Sequence, residues 1–379
     1  MKKLPIVLAL FSQVIGAQES LHNLGNLKIH ENGAIGFHSN LINNGSFDEN
    51  LGLAGFFNGT STSISGAFRP VFNDLEVMVR QDLFLEVGIG IERHLNFIDG
   101  TITTPRAIPD VTTDFLEEAI YSGQRDAAKV DGYAAMVEKQ QFLFPVGDTE
   151  RLRPLQLELA NDSITATCAY FFENPNTPKI LIDNFDTQIL GDNVQAVSTA
   201  EFWHLKGISS GKVEIQWDDR STIGNFVDRI EQLTIVGWHV GKKEWHDLGI
   251  AAQNGDMAFG RMVSDYFDLA VYPILTFGRN TNPMKPLRDN YLITLNNDGI
   301  NDYLVIPAVE QSPNNLLKIF NRWGRAVYID ENYRNDFNGK NNTDVALRKS
   351  KNLPIGLYFY VIELKDLDTS HQGYLYINE

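Results

Sequence analysis

Cysteine is almost absent. Cys168 is the only one in 379 residues. A single thiol excludes an internal disulfide and any zinc or iron–sulfur centre built on several thiolates. Tryptophan is scarce too, at five residues. Basic side chains fall well short of acidic ones, 32 Lys plus Arg against 48 Asp plus Glu, for a net charge of -16. Such a surface repels phosphate backbones and acidic lipid, so no nucleic-acid partner is expected. No apolar run reaches the roughly 18 residues of a membrane-spanning helix, so none is expected. What is present can fill cores. Hydrophobic residues make up 43% and aromatics 11%, with 23 Phe, which rules out general disorder.

The first residues, Met1-Lys2-Lys3, precede an apolar run from Leu4 to Phe11, then Val14, Ile15 and Gly16-Ala17-Gln18. A basic end, an apolar middle and small residues at the exit predict a secretory signal peptide over residues 1–17, cut after Ala17. A buried N-terminal strand is the alternative. In the strand-like stretch Thr165 to Phe172, Cys168 reads as a buried, inert thiol rather than a nucleophile.

Strand signals dominate the rest. Leu27 to His30, Ala34 to Phe37 and Leu53 to Phe57 are short apolar pieces broken by Asn and Gly, and Leu75 to Val79 alternates with period two. Thr113 to Tyr121 has some helical character but reads better as a strand ending at Ser122-Gly123. Further strands are expected at 132–137, 142–144, 155–159, 163–171, 213–217, 233–238 and 272–277. Prolines at 105 and 109 mark one boundary, and Asn280 to Pro286 marks another. The predicted organisation is all-β and modular. It has a strand-rich N-terminal region over 18–110, a sandwich-like middle domain over 111–280, a linker over 281–287 and an immunoglobulin-like β-sandwich over 288–379.

Several constellations invite a chemical reading. Asn296, Asp298 and Asp302 present oxygens around Gly299, as a calcium loop would. An Asx-rich turn is the favoured reading, with calcium the one ion to consider and no other cofactor called for. Gly207-Ile208-Ser209-Ser210-Gly211 has nucleophile-elbow spacing. The elbow needs a helix after the serine, whereas Lys212 to Trp217 alternates as a strand, so a hairpin turn is expected. His246 beside Asp247 would be a poor base–orienter pair on a strand, because neighbours face opposite sides. His204, His239 and His246 lack the spacing of a zinc helix but could meet from different strands. Asp114, Glu117 and Glu118 read as a solvated cluster. Trp203, Trp217, Trp238 and Trp245 read as core, with a glycan-binding or glycan-hydrolysing cleft as the alternative.

The tail carries ordered motifs: Asn296 to Asp302, then Asn321-Arg322-Trp323-Gly324, then Phe337-Asn338-Gly339, then Gly356-Leu357-Tyr358-Phe359-Tyr360. Together these resemble the gliding motility-associated C-terminal domain of Bacteroidetes proteins, a type B export signal of the type IX secretion system. The resemblance covers residues 288 to 379. It departs from the family at Leu295 and Asn297, where Pro and Gly are usual, and at Phe337, where Trp is usual. It implies export across the outer membrane to the cell surface or beyond. The implied partners are the type IX translocon and an outer-membrane shuttle or anchoring protein. It also implies a non-enzymatic role in adhesion or gliding motility, with a surface protein or a glycan as ligand. Trp323 is expected to pack in the core of this domain. More loosely, Phe144 to Asp148, Arg153-Pro154-Leu155 and Glu201-Phe202-Trp203 resemble ectodomains fused to such signals.

Overall fold

The computed structural model describes residues 20–160, 164–281, 290–296, 298–299, 301–343, 352–367 and 369–378. The expected signal peptide at 1–17 and linker residues 282–287 lie outside them. The chain divides into two compact units, Met1–Thr281 and Asn282–Glu379.

In the first unit, short strands that cannot bury an apolar face alone stack in parallel. One sheet takes Ser20–Asn23, Asn40–Asn43, Thr62–Ser65, Leu83–Leu85, Ile102–Thr103, Val130–Asp131 and Val146–Gly147 in that order. The facing sheet takes Ala34–Phe37, Leu53–Asn58, Val71–Val79, Ile89–Asp99 and Thr113–Phe115. Leu21, Leu41, Ile64 and Leu85 align in one column, and Ile35, Ala54, Leu75 and Leu95 in the other. Aligned positions recur roughly every 20 residues, the interval of a solenoid coil. Phe37, Phe56, Val77 and Phe97 form a third buried column, with Phe37 and Phe56 stacked at 4.7 Å.

Asparagines hold the corners. Asn23 donates to Asn43 Oδ1 at 2.7 Å, and Asn43 donates to the Phe68 carbonyl at 2.9 Å. Asn50 accepts from the Ile29 amide and donates to the Val71 carbonyl. Each such side chain pairs backbone groups that a buried corner would otherwise leave unpaired.

The facing sheet runs on through Ala134–Lys139, still parallel to Thr113–Phe115. It then turns antiparallel through Ile164–Phe171, Phe202–Lys206, Ile274–Asn280, Leu233–His239 and Glu244–Asp247. A second antiparallel layer of Gln141–Phe144, Leu155–Leu159, Ser210–Trp217, Gly260–Val263 and Ala252–Gly255 covers it. One apolar cluster extends from Ile29 to Phe277. The expectation of a separate sandwich-like middle domain is therefore corrected. The N-terminal and middle region forms a β-solenoid: up to Gly147 the coil strands pair one coil onward in parallel, and the antiparallel strands that follow continue the same sheet instead of forming a separate domain. Gly207 to Ser209 is likewise no hairpin turn. It carries the chain from one sheet to the other, since Phe202–Lys206 and Ser210–Trp217 pair with different partners.

The described part of the second unit is a single five-stranded sheet. Its order is Asn290–Thr294, Thr369–Asn378, Gly356–Leu364, Asn315–Phe320 and Ala326–Glu331, with the first pair parallel. The expected immunoglobulin-like pair of sheets is corrected here too. Connecting segments, not a second sheet, cover the inner face. Leu304, Ile306, Val309, Tyr333 and Phe337 pack on Leu317, Ile319, Tyr360, Ile362 and Leu375. Tyr333 fixes that cover. Its hydroxyl donates to the Leu304 carbonyl and accepts from the Phe337 amide.

Candidate functional site

The serine and histidine candidates do not assemble. Ser209 lies in the sheet-to-sheet connection, and its hydroxyl reaches only the Ser210 carbonyl, at 3.5 Å. His239 and His246 do meet, with ring centroids 5.0 Å apart. His204 is elsewhere, half-buried with Nδ1 2.7 Å from the Tyr133 hydroxyl. Burial, with Lys206 adding to it, pushes His204 down to about 4. Asp114 is not solvated. It is buried against Arg69 at 2.5 Å and Thr112, and burial raises its pKa despite both partners. Cys168 is fully buried, and desolvation pushes its thiol up.

Trp203, Trp217, Trp238 and Trp245 are all buried, so none offers a face to a sugar. Instead, three motifs from the sequence converge around Trp203. Its indole N–H donates to the Arg153 carbonyl at 3.1 Å. The Arg153 guanidinium lies 3.2 Å from Glu201 and 2.7 Å from Asp218, and donates to Ser221 at 2.9 Å. Tyr170 donates to Glu201 at 2.6 Å. Asp148 pairs with Arg220 beside them. Arg153 is 3% exposed and Glu201 0%, so this is an enclosed ionic clamp rather than an open site. Burial raises the Glu201 pKa, and Arg153 opposes that rise.

A polar cleft of about 680 Å³ opens beside Glu244–Asp247. Residues 190–193, 242, 244, 246–249, 265–267 and 272 form its walls. His246 sits between Glu244, 2.8 Å from Nε2, and the Tyr272 hydroxyl, 3.0 Å from Nδ1. The bond from His246 holds the Glu244 carboxyl below its usual range. Asp247 makes no bond to His246. It accepts from Thr234, from the Gly249 amide and from Asn280. Asp265 closes the opposite wall. Burial, then the Asp247 charge, raises its pKa. Asp265 escaped the sequence reading because a lone carboxylate in an acidic chain carries no local signal.

In the second unit the motif residues build a turn and its supports. Asn321 Oδ1 accepts from the amides of Trp323 and Arg325, at 3.0 and 3.1 Å, and Gly324 has φ 73°. That turn throws Trp323 outward. It is 70% exposed, with the Arg322 guanidinium 4.4 Å from its ring, which corrects the expectation of a core tryptophan. Asn338 is half-buried. The Gly339 carbonyl accepts from Leu353, and a Cβ at Gly339 would lie 2.5 Å from Leu295. Gly356 opens its strand at φ 146°, and the buried Tyr358 donates to the Pro354 carbonyl at 2.8 Å.

The Asn296 loop is held by its own bonds. Asn296 donates to Asp298 at 2.8 Å, and the Gly299 amide donates to Asp302 Oδ2 at 2.8 Å. Asp302 Oδ1 is enclosed without a hydrogen-bond partner among the described residues. No cluster of three or more His, Cys, Asp or Glu residues able to hold a metal occurs among the described residues.

The outer face of this unit's sheet is apolar. Leu292, Tyr376 and Leu357 form one cross-strand row, and Tyr374 and Phe359 lie in the next, all exposed. Residues 287–377 match the family described as the CHU_C Type IX secretion signal domain. No curated protein and no solved structure matches the chain. The chain thus carries a type IX secretion signal domain and is a substrate of that system, exported to the cell surface or extracellular space.

Proposed function

We propose that this is a non-enzymatic surface protein whose solenoid is the working part, serving adhesion or gliding motility. One observation carries the reading: a type IX secretion signal domain shares a chain with a β-solenoid. Stacked coils present rows of side chains along an extended surface, a form suited to binding. The secretion domain implicates the type IX export machinery as a partner. An outer-membrane shuttle or anchor completes the proposal. The outer face bearing Leu292, Leu357, Phe359, Tyr374 and Tyr376 gives that machinery an apolar surface to read.

The test compares strains making the full chain, a chain lacking residues 282–379, and none. Surface proteolysis should reach only the full chain, with the truncated one held in the periplasm. Attachment or colony spreading should fall in both of the other strains. Full surface display with no change in attachment or spreading would reject the proposed role. Hydrolysis of a glycan panel by the purified chain would reject the non-enzymatic reading.

A further inference from the structure

The antiparallel end of the long sheet has a second face, which carries its own apolar cluster. Ala169, His204, Ile274, Trp238 and Trp245 form one cross-strand row on it. Residues 172–193 cover part of this face and contain no helix or strand. So long an irregular connection is uncommon inside a compact unit and is usually functional. Its own bonds order it. Asn176 donates to the Thr187 hydroxyl at 2.9 Å, and the Phe185 amide donates to the Pro175 carbonyl. The Trp245 amide donates to the Ile189 carbonyl and ties the strap to the sheet.

Phe185 seats the strap on Phe202 and Trp238, with ring centroids 6.2 and 5.8 Å away. Beside it lies a cleft of about 670 Å³. His204, Trp238 and Ile274 line its inner side, while Ile180, Ile189 and Val240 line it too and are exposed. An exposed apolar rim over a buried apolar floor marks a ligand site.

One polar group on that floor is fixed in its role. His204 Nδ1 is 2.7 Å from the Tyr133 hydroxyl, and neither side chain has another hydrogen-bond partner among the described residues. A hydroxyl as deeply buried as that of Tyr133 needs an acceptor, so it donates to Nδ1. The imidazole proton then sits on Nε2 as a donor. Burial, with Lys206 adding to it, holds the His204 pKa at about 4, so the ring is neutral at pH 7. The charges around the cleft balance, Arg106 and Lys243 against Asp183 and Asp186, and Arg106 is already paired with Asp131. Nothing there selects a charged ligand.

We infer that this cleft binds a small uncharged molecule with an apolar body, its carbonyl oxygen received by the Nε2–H of His204. The volume suits a ligand of one or two fused rings rather than a folded partner. The inference goes beyond the adhesion reading and does not rest on it.

Fluorescence titration of the purified full chain at pH 7 tests this with the uncharged naphthyl ketone prodan and with dimethylaminonaphthalene, which lacks the ketone. Prodan should bind with blue-shifted emission and roughly 5-fold more tightly than the parent naphthalene, as one added hydrogen bond allows. His204→Phe should remove that preference and leave dimethylaminonaphthalene binding in place. Should it misfold for want of a Tyr133 partner, His204→Leu combined with Tyr133→Phe removes both groups together. Val240→Trp fills the cleft from an exposed position and should weaken both compounds by about 10-fold or more. No prodan binding at tens of micromolar, equal binding of the two naphthalenes, or a ketone preference that survives loss of His204 would overturn the inference. Prodan affinity unchanged in Val240→Trp would place the probe on another apolar surface and overturn it as well. So would tighter binding of the anionic dye anilinonaphthalene sulfonate that is lost in Lys243→Met, which would make the cleft an anion site.

Discussion

His204 is a half-buried side chain whose desolvation makes stability depend on pH. Its pKa falls from an ordinary 6.5 to about 4, so the folded state holds it neutral. The unfolded chain binds the proton more readily. Its contribution is complete above pH 6.5 and is lost as pH falls toward 4. The loss amounts to about 3 kcal/mol over that window. Urea unfolding of the parent and of His204→Gln at pH 7 and pH 4 should show a steeper fall for the parent. Arg153 makes a second prediction. Arg153→Met leaves the buried Glu201 without its cation, while Asp218 keeps Arg151 at 2.6 Å, and should cost about 3–5 kcal/mol in the same measurement. In the second unit, two aromatic residues exchange their expected roles. Trp323→Ala should change stability by less than about 0.5 kcal/mol, because the ring is outside. Tyr333→Phe strands the Leu304 carbonyl and the Phe337 amide and should cost about 1–3 kcal/mol. Thermal melts of the two variants should fall in that order.

Elements were legible where a strand pattern is local. Leu155–Leu159 alternates, and Leu233–His239 is apolar enough to be buried on both faces. The coil repeat was not read, because few identities persist: Asn23 and Asn43, and Gly36 and Gly55, align one coil apart, but later coils change them, as in the column Phe37, Phe56, Val77 and Phe97. Its interval also drifts, so no fixed-period motif survives in the text of the chain. Arg153 and Glu201 were visible as separate motifs. Their meeting spans 48 positions and depends on sheets laid face to face. Trp323 was misjudged because a strand-end tryptophan normally turns inward, whereas Asn321 and Gly324 close a turn that excludes it. The Asn296 loop was read as an Asx-rich turn, and its bonds have that form. Differential scanning calorimetry with chelator or with millimolar calcium should therefore give the same transition for the second unit. A rise of several degrees in calcium, lost in Asp302→Asn, would assign an ion to the enclosed Asp302 oxygen.

At the scale of the whole molecule, export and body are written in different structural languages. The secretion domain is one sheet sealed by its own connections, and the solenoid is a stack in which each coil leans on its neighbours. A stack can be lengthened or shortened without redesign wherever its two sheets advance in step. They do so at one place that the register identifies: Leu53 aligns with Asp74 on one face, and Thr62 with Leu83 on the other. Removing residues 53–73 joins Gly52 to Asp74 and brings Leu83 to the position of Thr62. The shortened protein should fold with one rung fewer, a loss of about 4.8 Å along the stack. Circular dichroism should keep its strand signal, and the first unit should still unfold in a single transition. Reach is then an inherited dimension that recombination can reset one coil at a time, while the export domain rides along unchanged.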